Sequence, residues 1–178
     1  MSKIMKIILS IAAILIVSLG LKDDTQGIET AVLSLNQPMT NLVRIERLEN
    51  KNAIAFYEWG AAPQEYFGIA MVKKNLFGWH FIGGSTSQTP KGYKLGWSYS
   101  DLRGEFSKYT EISYGKIFES DVESVLVTTN KGKRYPAKIL EYDSGERLWF
   151  LITDGVDLAG STVIGRSANG EIIEQIPG

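Results

Sequence analysis

The chain has 178 residues, of which 44% are hydrophobic and 22% charged, with 19 basic against 20 acidic side chains, one histidine and no cysteine. That balance belongs to an ordered globular chain rather than a disordered one, and a formal charge of −1 is no footprint for nucleic acid. Without cysteine there is no thiol nucleophile, disulfide, Cys-based zinc site or lipidated cysteine.

Residues 1–24 (MSKIMKIILSIAAILIVSLGLKDD) place Lys3 and Lys6 ahead of fifteen uncharged residues, Ile7 to Leu21, followed by Lys22, Asp23 and Asp24. Ile, Leu, Ala and Val fall on every face of this run, whereas a soluble surface helix needs a polar stripe. The expectation is a segment that meets the cytoplasmic membrane through residues 7–21. Fifteen residues sit between a signal peptide's apolar region and a full bilayer span. Counting from Ile4, with Lys6 snorkelling, gives eighteen. A retained signal-anchor is favoured, and secretion after cleavage near Ser18 or Gly20 stays open. In both cases the positive flank keeps the N-terminus cytoplasmic and the C-terminal bulk extracytoplasmic.

Ile28, Val32 and Leu35 lie at helical spacing before Asn36 and Pro38, which predicts one short helix over Ile28 to Leu35. Period-two patterning then predicts strands over Leu42 to Leu48, Ala53 to Trp59, Glu65 to Lys73 and Trp79 to Ile82. The separators are short, which favours an antiparallel meander, since parallel strands need long crossovers. Gly83 to Gly92 (GGSTSQTPKG) has the composition of a linker.

Seven further strands are predicted at Tyr93 to Tyr99, Ile112 to Phe118, Val122 to Thr129, Tyr135 to Tyr142, Leu148 to Thr153, Thr162 to Gly165 and Ile172 to Gln175. Their spacing points to a small β-sandwich. The fold expected is therefore mainly β: a membrane helix (residues 1–24), a short helix with a four-stranded meander (25–90), and a sandwich subdomain (91–178).

A charged-then-apolar start, Lys73-Lys74-Asn75-Leu76-Phe77-Gly78-Trp79, Val122-Glu123-Ser124-Val125, Arg147-Leu148-Trp149-Phe150 and the Gly165 to Gly170 turn occur in that order. This combination resembles small membrane-anchored extracytoplasmic proteins of Gram-positive, spore-forming bacteria. The resemblance implies an extracytoplasmic β-rich domain and transfers no catalytic residue.

Chemical constellations are sparse. Ser113-Tyr114-Gly115-Lys116 fits the S-x-x-K pattern of penicillin-binding enzymes. That chemistry needs serine and lysine one helical turn apart, whereas in a strand these two residues face opposite sides. His80, the single histidine, alternates with Phe77, Trp79 and Phe81 and is read as an ordinary strand residue. Glu119, Asp121 and Glu123, and Asp154 with Asp157, lack the spacing of a calcium loop and are read as turn and strand-end residues. No cofactor or metal is expected.

Lys131, Lys133 and Arg134 concentrate positive charge at a hairpin tip, and Trp79 and Trp97 are the aromatics picked out for an exposed platform. These five are the candidate ligand or anion contacts. The functional expectation is a membrane-tethered binding or interaction module, its partner an envelope protein or a wall polymer. A sensory or inhibitory ectodomain and an extracytoplasmic hydrolase are the alternatives.

Overall fold

The computed structural model describes residues 24–35, 39–49, 51–61, 64–88, 92–143 and 145–178; residues 1–23, on which the expected anchor falls, lie outside them. Among the described residues no helix is long and apolar enough to cross a membrane. Helix α1 (Asp24–Leu33) buries Ile28, Ala31 and Val32 along one face and exposes Glu29 and Thr30. Asp24 in its first turn complements the helix dipole. The helix ends before Leu35, whose N–H turns back to the Val32 carbonyl at 3.1 Å.

Strands β1 (Met39–Glu49), β2 (Asn52–Ala61), β3 (Gln64–Asn75) and β4 (Gly78–Ser87) form the meander, antiparallel and in sequence order. The two faces of β2 and β3 differ in size. Ala53, Ala55, Ala70 and Val72 lie under α1, and the small side chains let the helix approach closely. Ile54, Phe56, Phe67, Ile69 and Met71 point the other way. Burial on both faces accounts for the near-continuous apolar run Ala53-Ile54-Ala55-Phe56-Tyr57.

The linker expectation is corrected over its first half. Gly83 to Ser87 complete β4, pairing Met71 with Gly83, Ala70 with Gly84 and Ile69 with Ser85. A Cβ on Gly84 would stand 2.4 Å from the Ile69 carbonyl oxygen, so glycine here serves close approach rather than flexibility.

The second half builds two four-stranded antiparallel sheets from eight strands, where seven were expected. The middle sheet runs β5 (Ser98–Asp101), β6 (Glu111–Ile117), β10 (Glu146–Thr153), β9 (Lys138–Tyr142); the outer sheet runs β12 (Ile172–Ile176), β11 (Thr162–Arg166), β7 (Ser124–Thr128), β8 (Arg134–Pro136). The run expected as one strand over Tyr135 to Tyr142 divides at Pro136-Ala137. Pro136 cannot donate to a ladder, the Ala137 N–H goes to the Val125 carbonyl at 2.9 Å, and the chain crosses there from the outer to the middle sheet. Most of Tyr93 to Tyr99 is also not ladder. Only Leu95 bridges to Ile117, while the buried Trp149 indole donates to the Gly96 carbonyl at 2.9 Å.

The layers stack as helix, meander, middle sheet and outer sheet. Phe56, Phe67, Tyr114 and Phe150 join the meander to the middle sheet, with Phe56 and Phe150 ring centroids 5.0 Å apart. Ile117, Trp149, Val125, Val127 and Val163 fill the space between the middle and outer sheets. Sandwiched on both sides, β6 is buried at Glu111 to Gly115 and at Ile117, with Lys116 half-buried.

Candidate functional site

Two strand ends of the middle sheet and the β2–β3 hairpin of the meander meet around a cleft of about 720 Å³. Glu58, Trp59, Glu65, Tyr66 and Phe67 line it from the meander, and Lys116, Phe118 and Glu146 from the middle sheet. Trp59 and Tyr66 are register partners whose rings stack at 4.3 Å and 10°. Opposed aromatic pairs of this kind stiffen a hairpin.

Lys116 organises the charges. Its ammonium bonds Glu58 Oε1 and lies 3.5 Å from Glu146 Oε1, and it stands 5.7 Å from the centre of the Tyr142 ring. The Tyr142 hydroxyl donates to the same Glu58 oxygen at 3.0 Å. Burial, with the Glu58 charge behind it, pushes the Tyr142 phenol well above its ordinary range, so it stays a donor. Side-chain exposures of 17% for Lys116, 19% for Glu58 and 50% for Glu146 leave Glu146 as the accessible carboxylate of the set. With Glu65 the lining carries three carboxylates and one ammonium, a surplus of negative charge that favours ligands bearing hydrogen-bond donors or positive charge.

The five candidates from the sequence do not converge. Trp79 packs against α1 on the far face of the meander, its N–H donating to Asp24 Oδ1 at 3.3 Å. Trp97 packs between the middle and outer sheets and donates to Ser113 Oγ at 3.0 Å. Lys131, Lys133 and Arg134 are exposed on the β7–β8 hairpin of the outer sheet. Ser113 and Lys116 face opposite sides of β6, one toward Trp97 and the other toward Glu58.

The acidic loops have local work. Arg147 draws the Val122, Glu119 and Ser120 carbonyls to its guanidinium at 2.7, 2.8 and 2.9 Å, which turns the backbone inward and leaves Asp121 and Glu123 in solvent. Asp157 accepts from the Ala159 N–H at 2.9 Å. Among the described residues no three His, Asp or Glu side chains gather as a metal group.

A second polar centre escaped the sequence reading. Glu111 is completely buried, accepts from Arg103 and from the Leu158 N–H, and so clamps the 154–158 loop against the middle sheet. Burial, then the hydrogen bond and charge of Glu111, push the Tyr99 phenol beside it up to about 12. A signal for Lys116 and Glu58 was available, since each is a charged residue within a mostly apolar strand, and a buried charge is the informative exception; Glu111 stands at the start of β6, just outside the strand expected from Ile112. Comparison with protein families, curated proteins and solved structures gives no match to this chain.

Proposed function

We propose that the chain is a membrane-tethered, extracytoplasmic binding module whose cleft between the β2–β3 hairpin and the middle sheet takes an amine-bearing ligand, such as a basic side chain of an envelope protein or an amine on a wall polymer. The observation that carries this reading is the 720 Å³ cleft lined by three carboxylates and a single ammonium. An incoming ammonium meets Glu146, half-exposed, and Glu65, exposed, without displacing Lys116 from Glu58. Phe118, 53% exposed at the rim, offers the ligand's methylene stem an apolar surface.

The test is a titration of the full chain in nonionic detergent with trilysine, followed through the Trp indole N–H resonances. Trp59 borders the cleft while packing against the α1-side cluster, whereas Trp97 and Trp149 lie in the core between the sheets. Trilysine shifts Trp59 and leaves those two unmoved. The double substitution Glu65→Gln, Glu146→Gln weakens binding by about tenfold, the loss of roughly 1.4 kcal/mol of ion pairing, and added salt weakens it further. An unmoved Trp59, or an equal response to the fully acetylated peptide, contradicts the reading.

A further inference from the structure

The β3–β4 hairpin turns through Leu76 and Phe77, which are 99% and 98% exposed. Tight exposed loops take Asn, Asp or Gly because those residues satisfy the turn, and a Leu-Phe pair does neither job. Its neighbours do both. Asn75 Oδ1 accepts the Phe77 N–H at 2.8 Å, and Gly78 supplies the positive φ of 118° that closes the loop. Leu76 and Phe77 belong to none of the three apolar cores, so folding gives no reason for them.

The surroundings of the tip indicate what covers it. The Lys74 N–H bonds the Lys51 carbonyl at 2.7 Å, which sets the β1–β2 turn beside the tip and brings exposed Lys51 and Lys73 to its flank. Arg47 and Lys74 hold Asp24 at 3.2 and 2.5 Å, and among the described residues Glu49 is the acid of this group without an ion pair. Apolar side chains flanked by two exposed lysines fit a surface of acyl chains beneath anionic headgroups.

The position of α1 points the same way. Asp24, its first residue, is fixed to Lys74 and to the Trp79 indole. Leu21, the last residue of the uncharged run, is three residues before Asp24, a reach of at most about 11 Å for extended chain. The described chain therefore starts at this hairpin, at Asp24, within three residues of the run that the tether proposal places in the membrane.

We propose that Leu76 and Phe77 insert into the lipid bilayer that holds the tether, with Lys51 and Lys73 at the headgroups, so that the hairpin fixes the orientation of the whole domain on the membrane. Lipid insertion of the tip presupposes the tether proposed above, and the experiment separates the two. The chain has no cysteine, so Phe77→Cys and, as a control on the outer sheet, Lys131→Cys each accept a single environment-sensitive fluorophore.

The labelled full-length chains are reconstituted in vesicles of phosphatidylcholine and phosphatidylglycerol and collected by flotation. The label at position 77 emits to the blue, is quenched by nitroxide lipids and resists aqueous iodide, while the label at 131 behaves in the opposite way. Adding Leu76→Ser to the Phe77→Cys chain lowers the lipid-phase quenching, which excludes insertion driven by the dye alone. If the chains float but both labels are equally open to iodide, tip insertion is wrong and the tether stands. Chains that do not float refute the tether and the tip together. Shielding at 77 that disappears when the protein is diluted within the vesicles assigns the tip to a second copy of the chain, which also overturns the proposal.

Discussion

At one end of the meander, Glu58 and Glu65 supply two of the three carboxylates of a cleft whose one ammonium is that of Lys116; at the other, Lys51 and Lys73 flank Leu76 and Phe77. Phe67 and Asn75 mark the two ends on β3, eight residues and about 27 Å apart at the usual strand rise. The ends are made by the same four strands, the cleft end by the β2–β3 turn and the tip end by the β1–β2 and β3–β4 turns, yet they differ in how their side chains relate to the core. At the cleft end Lys116 and Glu58 are half-buried, bonded to each other and backed by the Tyr142 hydroxyl. At the tip end the apolar residues are fully exposed and carry no contact that the fold needs. Polar groups have been drawn inward at one end and apolar groups pushed outward at the other, and each inversion of the ordinary pattern marks a place where folding alone does not explain the residue.

The largest effect expected is one that breaks both ends together. Phe56 is fully buried against Phe67, Tyr114 and Phe150, and joins the meander to the middle sheet. Phe56→Ala costs about 3–5 kcal/mol through lost transfer energy and the cavity left behind. Urea unfolding measures it, and the signals of both ends are lost in one transition whose midpoint falls. If the two ends unfold at separate urea midpoints, they are not held by one core.

Glu111→Gln sharpens the comparison, because it loosens the middle sheet without touching the cleft. The amide keeps the size but cannot serve both Arg103 and the Leu158 N–H as a charged acceptor. The loss is about 1–3 kcal/mol, with faster amide exchange in the 154–158 loop. Trilysine affinity stays unchanged. A cleft that weakens along with the loop would show that the middle sheet transmits strain to its other end.

Alkaline pH acts on the two cores that flank the shared one, through Tyr57 under α1 and Tyr99 between the middle and outer sheets. Burial pushes the Tyr57 phenol up to about 12, and Tyr99 reaches about 12 beside Glu111. In the unfolded chain both ionise near 10.0. The folded state thus holds these protons more tightly, and their contribution to stability is whole below pH 10 and is lost as pH rises through about 12. Denaturation midpoints across that window fall for the natural chain and fall less for the Tyr57→Phe, Tyr99→Phe double variant. Equal slopes for the two chains contradict the burial assignment.

The smallest expected effect is the sharpest contrast. Replacing Leu76 and Phe77 by serine removes two large apolar side chains and changes folding stability by no more than about 0.5 kcal/mol, the range of ordinary surface substitutions. A loss of several kcal/mol in the urea midpoint would mean that the tip packs somewhere in the folded domain and is not free for lipid.

Much of the meander was legible because its strands are rich in apolar and aromatic residues and its turns carry Gly, Asn or Pro. Leu42 to Leu48, Ala53 to Trp59 and Glu65 to Lys73 all fall inside observed strands. Gly83 to Ser87 did not read as strand because close backbone approach and flexibility demand the same small residues. The break at Pro136 was hidden by the apolar alternation running across it, since both sheets place their inward residues toward the same core. The cleft was the least legible part. Glu58, Lys116 and Glu146 lie far apart in sequence and meet only through the stacking of two sheets, which no local pattern encodes. Trp79 and Trp97, chosen for exposure, instead use their indoles as hydrogen-bond donors in packed surroundings.

The account rests on the two ends of one sheet acting independently, and hydrogen exchange of the full chain in vesicles, with and without trilysine, tests this most directly. Trilysine is predicted to slow amide exchange over residues 58–66 and 116–118 and to leave residues 74–79 unchanged. An effect of trilysine at 74–79, or none at 58–66, would contradict the assignment of ligand to one end and lipid to the other.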